Sequence, residues 1–211
     1  MKTKKENTAI DYLGYALYAF GGLGLEILLM MIERIVFGTV SNEWTIAQSI
    51  IHWVLTCVIW GCIGFLLIKQ LPQTKHKITF TNWAITGIVF ITSIIYTSIT
   101  WGGFKPALEF ATNGTSRFIF QYIYYVFEGL LITLIVAHGQ KAFECWFKSI
   151  KIVPFGGILL AVTWGLIHIL TQGNSTGLYA FIQALLYGVI YLSLNKNFKL
   201  SYVVITLMFM L

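Results

Sequence analysis

Charge is scarce in this chain. Of 211 residues only 10% are Asp, Glu, Lys or Arg, against 57% apolar, and mean hydropathy is +0.78. Soluble domains carry about 25% charged residues, so an ordinary water-soluble globular protein is excluded. A disordered chain is excluded as well, because disorder needs low hydrophobicity and high net charge. Cysteine is scarce and odd in number. Cys57 and Cys62 lie in an apolar run and Cys145 stands beside charged residues, so no disulfide framework is expected. H-E-x-x-H and C-x-x-C motifs are missing, as are a Gly-rich phosphate loop and a Ser–His–Asp set at membrane depth. The expectation is therefore no metal and no cofactor.

What the chain has in quantity is long apolar runs. A hydrocarbon core of about 30 Å needs roughly 20 apolar residues per helix. Six runs meet that length: Ile10–Phe37, Ile46–Ile68, Trp83–Trp101, Phe118–His138, Val153–Leu170 and Leu178–Leu194. A seventh, Leu200–Leu211, is too short to span unaided. Val, Ile and Thr are abundant, but no ten-residue alternation appears, and in lipid only helices or closed barrels satisfy their backbones. The expected fold is all-α: one polytopic transmembrane bundle over residues 1–211, with six spanning helices and a short C-terminal one. Glu26 and Glu33 interrupt the first run, which is also too long for a cleavable signal.

The net charge of +6 does not point to nucleic acid, because the basic residues sit in short clusters between the runs. Lys2, Lys4, Lys5, Lys69, Lys75, Lys77, Lys141, Lys148, Lys151, Lys196 and Lys199 fall on one side, and only Arg34, Lys105 and Arg117 on the other. The positive-inside rule then puts the N-terminus in the cytoplasm. The expected location is a bacterial plasma membrane, with the bilayer itself as one partner. Trp44, Trp83, Trp101 and Trp146 fall at expected water–lipid edges. Residues 102–117 form the longest outer connection, with Pro106, Asn113 and Gly114 as turn signals.

Ionisable groups at membrane depth are functional candidates by default. Glu128 is the sharpest, close to the middle of its run. A buried carboxyl there suits a proton acceptor, and its structural alternative is a hydrogen bond to a neighbouring helix. His168 lies in an otherwise apolar helix. It can orient water, stabilise an oxyanion or simply pack. Glu26, after Gly21-Gly-Leu-Gly, reads as a packing or partner group, and His52 and His138 as interfacial. Glu33 beside Arg34 reads as a snorkelling or locally paired residue.

Two segments resemble the CAAX-prenyl-protease and bacteriocin-processing (CPBP, or Abi) family of intramembrane endopeptidases. Tyr124-Tyr-Val-Phe-Glu-Gly-Leu-Leu-Ile-Thr-Leu is similar to the family's E-E-x-x-x-R motif, with Glu128 at the second Glu. Leu159-Leu-Ala-Val-Thr-Trp-Gly-Leu-Ile-His-Ile-Leu is similar to its F-x-x-x-H motif, with Trp164 at the aromatic and His168 at the His. The likeness covers residues 118–211, including Phe181–Asn195, which resembles the helix before the family's last motif. Phe127 stands at the first Glu, Ile132 at the Arg and Met208 near the later His.

The resemblance implies a peptidase acting on membrane-associated peptides or protein tails, with Glu128 activating water and His168 assisting. The missing motif residues leave open a catalytically inactive member serving as scaffold, regulator or bacteriocin-immunity factor. A small proton-coupled permease is a further alternative. At 1.5 Å per residue, Glu128 lies about 15 Å, and His168 about 20–22 Å, from the expected cytoplasmic ends of their runs, a mismatch of roughly one turn.

Overall fold

The computed structural model describes residues 7–72, 77–148, 150 and 152–211. Lys2, Lys4, Lys5, Lys75 and Lys151, counted above for orientation, lie outside the described residues. Every described element is helical: α1 (Ala9–Phe37), α2 (Ile46–Ile68), α3 (Phe80–Trp101), α4 (Lys105–Trp146), α5 (Phe155–Gln172), α6 (Asn174–Ser193) and α7 (Phe198–Met210). A 3₁₀ turn, Ser41–Glu43, joins α1 to α2. Six of the helices are long and apolar enough to cross a bilayer. Large apolar side chains such as Ile35, Phe80, Ile99 and Ile152 face outward, far beyond what a soluble monomer exposes. The chain is an integral membrane protein.

Three of the spans start in the same way. Thr8, Thr45 and Thr79 are N-caps whose hydroxyls accept from the backbone N–H three residues on, and the side chains of Asp11, Gln48 and Asn82 return the bond. This reciprocal box satisfies two otherwise orphaned donors at each helix start. α1 and α3 stop where Gly38 and Gly102 take φ of 70° and 71°, the left-handed cap that favours glycine.

α4 is the central helix. Residues 131–140 are all buried, the mark of a helix enclosed on every side. α1, α2, α5 and α7 pack on it, while α3 packs chiefly on α6. Close approach relies on small residues, as between helices in lipid generally. A Cβ on Gly156 would lie 2.0 Å from the Val136 carbonyl oxygen, and one on Gly157 would lie 2.7 Å from that of Ala184. Trp60, fully buried on α2, donates its indole N–H to Gly22 O at 2.8 Å and stands 4.8 Å from the Tyr124 ring. Trp60→Phe removes that bond and should lower stability by about 1–2 kcal/mol, read as a shifted denaturant midpoint in micelles.

The expected connection over residues 102–117 is mostly helix, and the fourth run extends to Trp146. Pro106 occupies the first turn, where no backbone donor is needed. Gly114, at φ 66° and ψ 176°, breaks α4 into an arm, residues 105–113, and a long helix, residues 115–146. In a straight helix Glu109 and Tyr125 would be about 24 Å apart. Instead Tyr125 Oη donates to Glu109 Oε1 at 2.7 Å, so the arm folds back along the long helix.

The arm completes α7. At 13 residues α7 covers about two thirds of a bilayer core. Its C-terminal end rests on α4: Lys105 Nζ donates to Phe209 O at 2.6 Å, and Tyr122 Oη lies 3.2 Å from Met210 O. Two partial helices thus meet end to end inside protein, where interrupted helical backbone is tolerated.

Candidate functional site

A cavity of about 1050 Å³ lies among α1, α4, α5 and α6, and both Glu128 and His168 line it. α4 supplies Glu128 with Tyr124 and Tyr125 one turn nearer its N-terminus. α5 supplies Trp164 and His168, and α1 supplies Glu26. A second hollow of about 520 Å³ between α2 and α4 is lined by apolar and aromatic residues and by Cys57 and Cys62. It offers no acid, base or hydrogen-bonding network comparable to the first.

Helix register explains how Glu128 and His168 share one space despite the depth arithmetic. α4 and α5 run antiparallel with Gly156 against Val136, which brings Trp164 near the level of Glu128 and His168 near that of Tyr124. The Trp164 indole lies against the Glu128 carboxyl, and its ring centroid is 4.5 Å from that of His168. The offset of about one turn is real, and Trp164 fills it. A π-helical turn, Ala161–Gly165, carries Trp164. Such turns are frequent at functional sites.

His168 Nδ1 is 2.7 Å from the Trp164 carbonyl oxygen. A carbonyl only accepts, so Nδ1 carries the proton and donates. Neutral His168 then presents a lone pair at Nε2. It can accept a hydrogen bond from water, whereas donating to an oxyanion requires the imidazolium. Of the two chemical roles expected for His168, the geometry suits water positioning.

Glu26 does more than pack. Its Oε1 accepts from Tyr124 Oη at 2.8 Å and lies 3.3 Å from His52 Nε2, while His52 Nδ1 is 2.6 Å from Glu33 Oε2. His52 and Glu33 are buried. The interfacial reading of His52 and the snorkelling reading of Glu33 therefore give way to one inter-helix cluster: α2 places His52 between two carboxyls of α1. His138 is also fully buried, with Nε2 3.3 Å from Leu67 O and its ring beside Tyr12 and Tyr15. Among the described residues no group of three or more His, Cys, Asp or Glu side chains could hold a metal ion.

Lys105 and Glu109 escaped the sequence reading as site residues. Lys105, 4% exposed, lines the cavity with its ammonium within 5.4 Å of the Trp101, Tyr125 and Phe209 ring centroids. Glu109 accepts from Tyr122 and Tyr125. The available signal was Lys105-Pro-Ala-Leu-Glu109, a proline in a first turn with an i,i+4 charge pair, which is a helix start more than a loop. Lys105→Met should loosen the end of α7, because Phe209 O loses its donor. Hydrogen exchange of the last-turn amides should rise while that of Leu134 and Ile135 stays unchanged.

Compared with known proteins, the chain matches no protein-family profile, no curated protein and no solved structure.

Proposed function

We propose that this protein is an intramembrane peptidase of the kind its resemblance to the CAAX-prenyl-protease and bacteriocin-processing proteins implies, acting on membrane-associated peptides or protein tails. One observation carries the reading: Glu128 and His168, from two helices, line a single cavity large enough for a peptide segment. In this mechanism Glu128 takes a proton from water as it attacks the peptide carbonyl. It then returns the proton to the leaving amine. His168 Nε2 holds that water in line, and Trp164 orients the Glu128 carboxyl. The test is cleavage of a membrane-anchored peptide by purified protein in nanodiscs, with Glu128→Gln as the inert comparison.

A non-hydrolytic reading, as scaffold, regulator or immunity factor, draws on a separate observation. Ile132 and Met208, at positions where the family carries Arg and His, are fully buried and supply no polar group. A proton-coupled permease draws on the partial helices of the arm and α7, since discontinuous helices build many transporter sites.

The proposed location is a bacterial plasma membrane with the N-terminus inside. In a background without Cys57, Cys62 and Cys145, a cysteine replacing exposed Ser116 should react with an impermeant thiol reagent added outside. One replacing exposed Lys148 should react only after the membrane is permeabilised. The opposite pattern would invert the topology.

A further inference from the structure

The cavity is walled by α1 on one side and α5 on the other, and these two helices make almost no contact. Gly21 and Gly24 of α1 border the gap. Both are exposed, both line the cavity, and a Cβ built on either would meet nothing within 4 Å. Gly156 and Gly157 serve helix approach, whereas these two glycines border empty space. Across the gap stand Ile167 and Thr171 of α5, and Ile27 and Met30 continue its rim on α1. Both helices are of spanning length, so the gap faces hydrocarbon. A molecule resident in the bilayer reaches Glu128 sideways without first leaving lipid.

Charge narrows what enters. Among the described residues Glu26, Glu128 and the single ammonium of Lys105 line the cavity, Glu109 joins them through Tyr125, and Glu33 joins Glu26 through His52. Lys105 is held by Phe209 O and its ring cage, Glu109 by two tyrosine hydroxyls, and His52 is shared between Glu33 and Glu26. Lys105 and His52 can match only two of these four carboxyls, and the two that line the space are Glu128 and Glu26, the latter also touched by Tyr124 and His52. An ionised carboxylate in so apolar a setting is strongly unfavourable without a counter-charge. Trp53, Tyr124 and Trp164 line the same space, and aromatic rings attract cations.

We infer that the cavity receives, through the gap between α1 and α5, a membrane-resident chain bearing a protonated amine, whose charge Glu26 and Glu128 meet. This rests on the cavity being the working site, and not on hydrolysis there. Gly24 is the position that keeps the passage open, and Glu26 and Glu128 select the sign of the head group.

The experiment is binding of dansyl-tagged dodecylamine to the full chain in nanodiscs, read as energy transfer from tryptophan. Wild type should show a saturable component displaced by untagged dodecylamine and not by dodecyl sulfate. Gly24→Trp should raise the half-saturation concentration about tenfold or more, while Leu25→Trp, on the neighbouring lipid-facing position, leaves it unchanged. The double variant Glu26→Gln, Glu128→Gln should lose the preference for amine over sulfate. Absence of a saturable component, equal displacement by dodecyl sulfate in wild type, or wild-type binding by Gly24→Trp would each overturn the inference. Saturable binding without peptide cleavage would overturn the peptidase reading alone.

Discussion

Glu128→Gln should reduce cleavage of a membrane-anchored peptide at least about a hundredfold, the usual contribution of a positioned general base. The substitution keeps the side chain's shape at a position only 8% exposed, so the fold should hold and the loss should appear in turnover. His168→Ala should cost less, about tenfold or more, because it removes the Nε2 acceptor and leaves the base. Single-turnover assays with matched circular dichroism and melting curves check both. Cleavage unchanged in both variants would remove Glu128 and His168 from the mechanism. An inert wild type whose partner-dependent phenotype survives both substitutions would favour the non-hydrolytic reading.

Gly156→Ala should be the most damaging single methyl group in the molecule. Its Cβ would fall 2.0 Å from Val136 O and 3.0 Å from Val136 Cα, all backbone, so no side chain can swing aside. α5 would have to move off α4, and overpacking of this kind costs about 3 kcal/mol or more. The shift would also carry Trp164 and His168 away from Glu128, so stability and cleavage should fall together. Gly14→Ala, whose Cβ meets nothing within 4 Å, should leave both unchanged. Denaturant midpoints in a common detergent compare the two. A Gly156→Ala midpoint equal to wild type would mean the register of α4 and α5 is softer than described.

The difference between Gly156 and Gly24 shows where sequence reading reaches its limit. Both are glycines in apolar helices, and local pattern cannot separate one that admits a neighbouring backbone from one that borders a void. Lys105 is a sharper case. Counted among few outer-side basic residues, it fits topology charge, yet it lies buried beside Phe209 O. Its position depends on the reversal at Gly114, and the same Asn113-Gly114 signal that reads as a loop tip also serves a helical hairpin. His52 and Glu33 are nineteen residues apart, and neither carries a local sign of the other.

The sequence by itself determined the solvent, the helical class and the number of spans. Those follow from apolar run length against bilayer thickness and from the need to satisfy backbone groups in lipid, and both are local properties. It also singled out Glu128 and His168, because an ionisable group in an apolar run is conspicuous without any knowledge of neighbours. Only the tertiary structure decided that the two share a cavity, that Trp164 stands between them, that Glu26 joins from α1, and that the arm over residues 105–113 and α7 meet end to end. Each of these depends on helix register and rotation, which are set by which side chains interlock across the bundle.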